Sequence, residues 1–275
     1  ARADAKSDLA TLYAEVRRDP AAQTGRRLFL LGQLAELVDP PAALAWFDEV
    51  PRENERWFNA RVRVIVLTDQ QGKHEQALTL LEQLRGDAAD DKELGDVFLL
   101  EGELRAQQKD AAAVAVYTRG LLQLPNDSRL LYARAMAEIE RDDLAAAERD
   151  LRRIIALEPE NAEAMNALGY TLADRTPRTA EALQLIEQAL ALRPDEPAIL
   201  DSLGWAQFRL GLLAEAEKSL RRAFAGQADG EIAAHLGEVL WVRGERGEAR
   251  TIWQRAAKQA PDNAVLKETM RRLDQ

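Results

Sequence analysis

The stretch Asn161–Pro194 reads NAEAMNALGYTLADRTPRTAEALQLIEQALALRP, two helical patterns joined by a polar corner. The first opens with Ala162-Glu163-Ala164-Met165-Asn166-Ala167-Leu168-Gly169-Tyr170. The second starts at Thr179 and carries Glu181-Ala182-Leu183, Ile186, Ala189-Leu190, Leu192 and Pro194. The same text returns as Ile199-Leu200-Asp201-Ser202-Leu203-Gly204-Trp205, followed by Ala214-Glu215-Ala216, Leu220, Ala223 and Phe224. It returns again as Ala233-Ala234-His235-Leu236-Gly237-Glu238, followed by Gly247-Glu248-Ala249, Trp253, Ala256 and Pro261. Leu168 to Leu203 is 35 residues and Leu203 to Leu236 is 33.

A helix pair that repeats about every 34 residues, with Leu-Gly, then Ala, then a bulky residue, then Pro, resembles the tetratricopeptide (TPR) repeat. The resemblance implies an all-α fold, a TPR-type α-α superhelix of stacked helix-turn-helix pairs. Gly169, Gly204 and Gly237 fall inside helices, where glycine costs roughly 1 kcal/mol against alanine. That cost is tolerable where a missing side chain lets the partner helix approach. Ala182, Ala216 and Ala249 are the small residues expected on the facing helix. Ile186, Leu220 and Trp253, four residues further on, are expected to pack into the next repeat. Pro125, Pro159, Pro194 and Pro261 terminate second helices.

The match is strong from Ser128 onward, although Arg134-Ala135 stands in for Leu-Gly. Earlier in the chain, Val64-Ile65 and Leu100-Glu101 depart from it. The expected plan is a single solenoid over 1–275. It begins with an orphan second helix over 4–18, closed by Asp19-Pro20. Helix pairs follow over 24–50, 54–85, 93–124, 128–157, 162–192, 197–225 and 231–259, with a capping helix over 264–273. Within the pairs, breaks are expected at Asp39-Pro40-Pro41 and Gln71-Gly72, and second helices are expected to start at Pro41 and Asp110. The orphan helix and the start at Ala1 suggest a processed or truncated product.

Composition narrows the function. The net charge is −10, from 37 basic and 47 acidic residues, whereas binding a phosphate backbone needs concentrated positive charge. Nucleic acid is therefore not expected as a partner, and pairs such as Arg152-Arg153 and Arg221-Arg222 read as solvated helix faces. The chain has no cysteine, which excludes disulfides, thiol catalysis and cysteine-held metals. No apolar run of about 18 residues is present, so no membrane-spanning helix is expected, and no signal peptide is seen.

Family groove positions lie two before the Leu-Gly pair, one after it and four after it. Carried over, they give Phe98, Gly102 and Arg105; Tyr132, Met136 and Ile139; Asn166, Tyr170 and Ala173; Asp201, Trp205 and Phe208; and Ala234, Glu238 and Trp241. Phe98, Tyr132, Met136, Tyr170, Trp205, Phe208 and Trp241 form an aromatic and methionine stripe, and Asn166, Asp201 and Glu238 add polar groups. Such a stripe suits protein binding; filling space between helices is the competing explanation. The paired Lys/Asn and Lys/Arg groups with which TPR co-chaperones hold a terminal carboxylate are missing, so no such clamp is expected.

No Ser/His/Asp arrangement and no Gly-rich phosphate loop is seen. Glu231, His235 and Glu238 share a helix face but make a poor metal set, and no metal or cofactor is expected. The sequon Asn126-Asp127-Ser128 reads as a helix N-cap region.

The alanine- and arginine-rich texture, the decay of the repeats toward the N-terminus and the ending Met270-Arg271-Arg272-Leu273-Asp274-Gln275 are similar to proteobacterial outer-membrane TPR lipoproteins. Among these, adaptors of a periplasmic carboxy-terminal processing protease are the best match. That resemblance implies a non-enzymatic scaffold in the periplasm. It would bind the protease, present cell-wall hydrolases to it, and reach the membrane only through a lipid anchor outside this chain. A scaffold for envelope assembly (polysaccharide export or secretin) and a regulatory TPR region of a larger enzyme stay open.

Overall fold

The computed structural model describes residues 2–18, 25–108 and 112–274, and of residues 2–7 the backbone alone. The expected stop at Asp19-Pro20, the start at 24 and the start at Asp110 fall outside the described residues. Every regular element among the described residues is a helix. In order these are α1 (Arg2–Arg18), α2 (Gly25–Val38), α3 (Pro40–Asp48), α4 (Trp57–Gln70), α5 (His74–Gly86), α6 (Asp91–Gln107), α7 (Ala113–Gln123) and α8 (Ser128–Glu140). They continue with α9 (Leu144–Leu157), α10 (Ala162–Arg175), α11 (Thr179–Leu192), α12 (Pro197–Arg209), α13 (Leu213–Gly226), α14 (Gly230–Val242), α15 (Arg246–Gln259) and α16 (Ala264–Leu273).

The starts and stops follow local chemistry. Asp90, Asp143, Asn161, Asp229 and Asn263 each accept a hydrogen bond from a backbone N–H in the first turn that has no helical partner. Corners between first and second helices turn through the left-handed region at Gly72, Gly211 and Gly244, and at Asp142, whose φ is +63°. A Cβ would meet nothing at those three glycines; the backbone conformation alone demands them. Two expected boundaries shift. α3 begins at Pro40, since proline suits the first helical position. α4 begins at Trp57, because Asn54 forms a turn instead, its side chain accepting from Arg56 N–H at 2.9 Å.

The chain divides into two compact units, residues 1–130 and 131–275. The first holds two cores. One gathers Tyr13, Leu28, Leu31, Leu34 and Phe47; the other gathers Phe58, Ile65, Leu81, Val97 and Leu104. A Cβ on Gly32 would lie 2.6 Å from the Phe47 ring, so glycine here lets α2 and α3 meet.

In the second unit the facing alanines Ala182, Ala216 and Ala249 are fully buried. Their carbonyls or the residue beyond them lie against the helical glycines. A Cβ on Gly169 would come 2.6 Å from Ile186, one on Gly204 2.4 Å from Leu220, and one on Gly237 2.0 Å from Trp253. The three bulky residues thus fill the space above the glycine of their own pair, rather than reaching only to the next repeat.

One pair is out of the expected register. The close approach in α6 is made by Gly102, where a Cβ would sit 2.1 Å from the Tyr117 ring. The repeat glycine is therefore Gly102, and Glu101-Gly102 occupies the Leu-Gly place. Gly102 to Tyr117 spans 15 residues, against 16 from Gly204 to Leu220 and from Gly237 to Trp253. The glycine-to-ring spacing is one residue shorter in this pair, and a reading that assumes equal spacing slips by one.

Candidate functional site

The inner wall of the second unit is made by the first helices of its pairs. Residues there hold a cleft of about 450 Å³. Tyr132, Met136 and Ile139 of α8 form its apolar end. Asn166 and Tyr170 of α10 form its floor with Ala167 and Thr171, and α12 adds Ala198, Asp201 and Ser202. Gln227, Asp229, Glu231 and Ile232 close the far end at the start of α14.

Tyr170 is a fixed donor, and Tyr132 sits beside Glu163. The Tyr170 hydroxyl donates to Glu231 Oε1 at 2.9 Å, a bond that crosses from α10 to α14 over the intervening repeat. Burial, followed by the neighbouring Glu163 carboxylate, pushes the Tyr132 hydroxyl up to about 12. Burial and Glu231 drive Tyr170 higher still. Neither ionises near neutral pH, so both present a hydroxyl and an apolar ring. The Ser202 hydroxyl is 3.0 Å from the Ala198 carbonyl oxygen, and that of Thr171 is 2.8 Å from that of Ala167. Both point back along their own helices.

Beyond Tyr170 lies a second cleft of about 370 Å³, walled by Trp205, His235, Glu238 and the capping helix α16. His235 is 3% exposed, and its Nδ1 lies 3.0 Å from each carboxylate oxygen of Asp201. Burial opposes its protonation, but Asp201, helped by Glu231 and Glu238, outweighs burial and raises its pKa. The Trp205 ring stacks on that imidazole with centroids 4.3 Å apart, and its N–H donates to Asp174 at 3.2 Å. Glu238 accepts from Arg272 of α16 at 2.5 Å. Glu231, His235 and Glu238 therefore point to three different partners rather than to one point.

Tyr132, Met136, Ile139, Asn166, Tyr170 and Asp201 thus come together in one cleft. Other expected groove residues do not join them. Phe98, 1% exposed, belongs to the core of the first unit against Gly120 and Leu130. In the corrected register it is a packing position. The same one-residue shift removes Gly102 and Arg105 from the groove; Arg105 pairs with the buried Glu101. Trp205, 8% exposed, edges only the second cleft. Phe208 packs against Trp205 with ring centroids 5.2 Å apart. Trp241 stacks on Trp253 at 5.6 Å, with Arg246 and Arg250 at 5.0 and 5.2 Å from its ring, so α15 captures it. Ala173 and Ala234 are fully buried. The missed lining residues Glu163, Ala198 and Glu231 lie three residues before Asn166, Asp201 and Ala234. One helical turn was the available signal.

The tetratricopeptide repeat model matches residues 132–197 and 202–264, which supply most of the first cleft; α16, which walls the second, begins where they end. Over the matched residues the chain carries tetratricopeptide repeats. A TPR repeat-containing protein of Pseudomonas aeruginosa is 44% identical over 212 residues, 76% of this chain and 35% of the relative. Protein O-mannosyl-transferase TMTC1 of Mus musculus is 28% identical over 155 residues, 54% of this chain and 16% of that enzyme. The chain thus spans about a third or less of the length of these curated relatives. Among solved structures, a tetratricopeptide repeat protein from Parabacteroides merdae matches with a TM-score of 0.68 at 17% identity, covering 92% of this chain and 100% of that one. Tetratricopeptide repeats are protein-interaction scaffolds, and stacking them creates extended concave binding surfaces. No helix among the described residues is long and apolar enough to cross a membrane.

Proposed function

We propose that the tetratricopeptide-repeat chain is a non-catalytic adaptor. In this reading it binds a periplasmic carboxy-terminal processing protease and presents protein substrates such as cell-wall hydrolases to it. It works at the periplasmic side of the outer membrane, held there by a lipid anchor outside this chain. The supporting observation is the cleft in which Tyr132, Met136 and Tyr170 present apolar surface beside fixed polar groups, the composition that anchors a partner segment. The choice of protease rests on the resemblance to lipoprotein adaptors. The absence of catalysis is supported by the hydroxyls of Ser202 and Thr171, which point to helix carbonyls rather than to a base.

The test uses the purified chain and a purified carboxy-terminal processing protease. Light scattering should find a stable complex, and the chain should accelerate cleavage of a cell-wall hydrolase while cleaving nothing alone. Tyr132→Ala with Met136→Ala should weaken the complex about tenfold or more, with the melting temperature little changed. No complex at micromolar concentration would remove the protease from the reading. A complex indifferent to the double variant would remove the cleft.

A further inference from the structure

The cleft has a charge of one sign. Glu163, Asp229 and Glu231 line it together with Asp201, and no Arg, Lys or His is among its lining residues. Elsewhere several buried or half-buried carboxylates find guanidinium partners. Asp150 pairs with Arg134, Glu148 with Arg178, Glu101 with Arg85, and Glu238 in the neighbouring cleft with Arg272. The cleft acids take neutral donors instead. Glu231 accepts from the Tyr170 hydroxyl, Glu163 stands beside that of Tyr132, and Asp229 accepts from the backbone N–H groups of Glu231 and Ile232. Asp201 alone meets a titratable base, His235, on its far side. Apolar lining from Tyr132, Met136, Ile139, Ala167 and Ile232 stands beside these acids, so their field is screened less in the cleft than in bulk water.

We infer that the cleft is built for a basic–apolar protein segment: an apolar side chain against Tyr132, Met136 and Ile139, and a lysine or arginine nearby at Glu163 and Glu231. The inference rests on the reading of the cleft as a partner site and adds the chemistry of what enters it. The occupant supplies the cation that the repeats withhold. A Glu231 carboxylate already held by Tyr170 is pre-positioned, and a cation meeting it there forms a charge-assisted bond at little ordering cost. An acidic segment or a free terminal carboxylate meets like charge and is rejected.

The full chain is titrated with two fluorescein-labelled, end-capped hexapeptides, Leu-Lys-Leu-Leu-Lys-Leu and its counterpart with glutamate for lysine, read by anisotropy. The lysine peptide should bind at least tenfold tighter, and the gap should shrink between about 0.05 and 0.3 M salt as screening shortens. Glu163→Gln with Glu231→Gln should weaken it about tenfold, since glutamine still accepts from Tyr170 but carries no charge. Ala198→Arg, at an exposed lining position, should do the same by placing a cation inside. Equal binding of both peptides, preference for the glutamate peptide, no binding of either, or insensitivity of the lysine peptide to both charge variants overturns the inference. If Tyr132→Ala and Met136→Ala weaken the lysine peptide while the charge variants do not, the cleft stands as a site and the cationic occupant falls. If none of these variants matters, the site reading falls with it.

Discussion

Glu138 of α8 is 8% exposed, and its Oε2 is buried with no hydrogen-bond partner. The nearby Arg134 is committed to Asp150 through bonds of 2.6 and 2.8 Å. Burial first, then the Asp150 charge, raise the Glu138 carboxyl from 4.5 to about 7. Between those values the folded state keeps a proton that the unfolded chain has lost. Stability therefore falls as pH rises across that window and is flat above it, by about 2–3 kcal/mol in all. His235 acts in the same direction: its raised pKa gives stability that is present below about 6.5 and lost as pH rises through the folded value. Glu138→Gln should flatten the slope between pH 5 and 7 and raise the denaturation midpoint at pH 8. An unchanged slope in urea titrations at the two ends would show that Glu138 is solvated. Glycines give a second test at this scale. Gly237→Ala drives a Cβ into the fully buried Trp253 ring and should cost about 1–3 kcal/mol even after the helix-propensity gain. Gly247→Ala, where a Cβ meets nothing, should stabilise by up to about 1 kcal/mol.

Partners on neighbouring first helices obey an offset of about one repeat: Arg175 meets Asp142 at 33 residues, His235 meets Asp201 at 34, and Arg272 meets Glu238 at 34. Read along one helix, Asp201 and Glu238 looked like groove groups and His235 with Glu238 like part of a weak metal set; read one repeat apart, His235 pairs with Asp201 and Glu238 with Arg272. The repeats from Ser128 onward were legible because Gly169, Gly204 and Gly237 recur at near-constant spacing. The α6–α7 pair was not, because its glycine-to-ring spacing of 15 differs and Glu101 stands where leucine is expected before the repeat glycine Gly102. Trp241 shows a second limit. It was expected in the groove, but its ring packs on Trp253 and on two arginines that follow the Gly244 corner. Trp205→Ala and Trp241→Ala should accordingly lower the melting temperature, the buried Trp205 change through a stability loss of roughly 3–5 kcal/mol. Loss of partner affinity with an unchanged melt would return them to the binding surface. At the capping helix, Arg272→Ala leaves the buried Glu238 unpaired. With the arginine half-exposed, the expected cost is about 1–2 kcal/mol, read as faster amide exchange over 266–273.

At the scale of the molecule, a repeat array is approximately a sum of local stabilities and nearest-neighbour interfaces. A fragment from Asn126 to Gln275 holds the second unit, its cleft and its capping helix. It should fold with a helical circular dichroism spectrum and bind the lysine hexapeptide as the full chain does. A fragment that folds but does not bind would mean the cleft needs residues before 126. Within this unit Tyr170 breaks the nearest-neighbour rule, its ring also lying 6.1 Å from that of His235. The Tyr170–Glu231 bond spans 61 residues and joins α10 to α14 without touching α12. Mechanically it is a chord across an arc: the packed helices set the bend, and the chord limits how far the arc can open. Tyr170→Phe removes about 1 kcal/mol and no packing, so the melt should hardly move while the arc gains compliance. The chain has no cysteine of its own. A pair introduced at exposed sites of α10 and α15 can therefore carry the only two spin labels, and the variant should broaden the distance between them. A solenoid that carries such a chord is a spring with a stop.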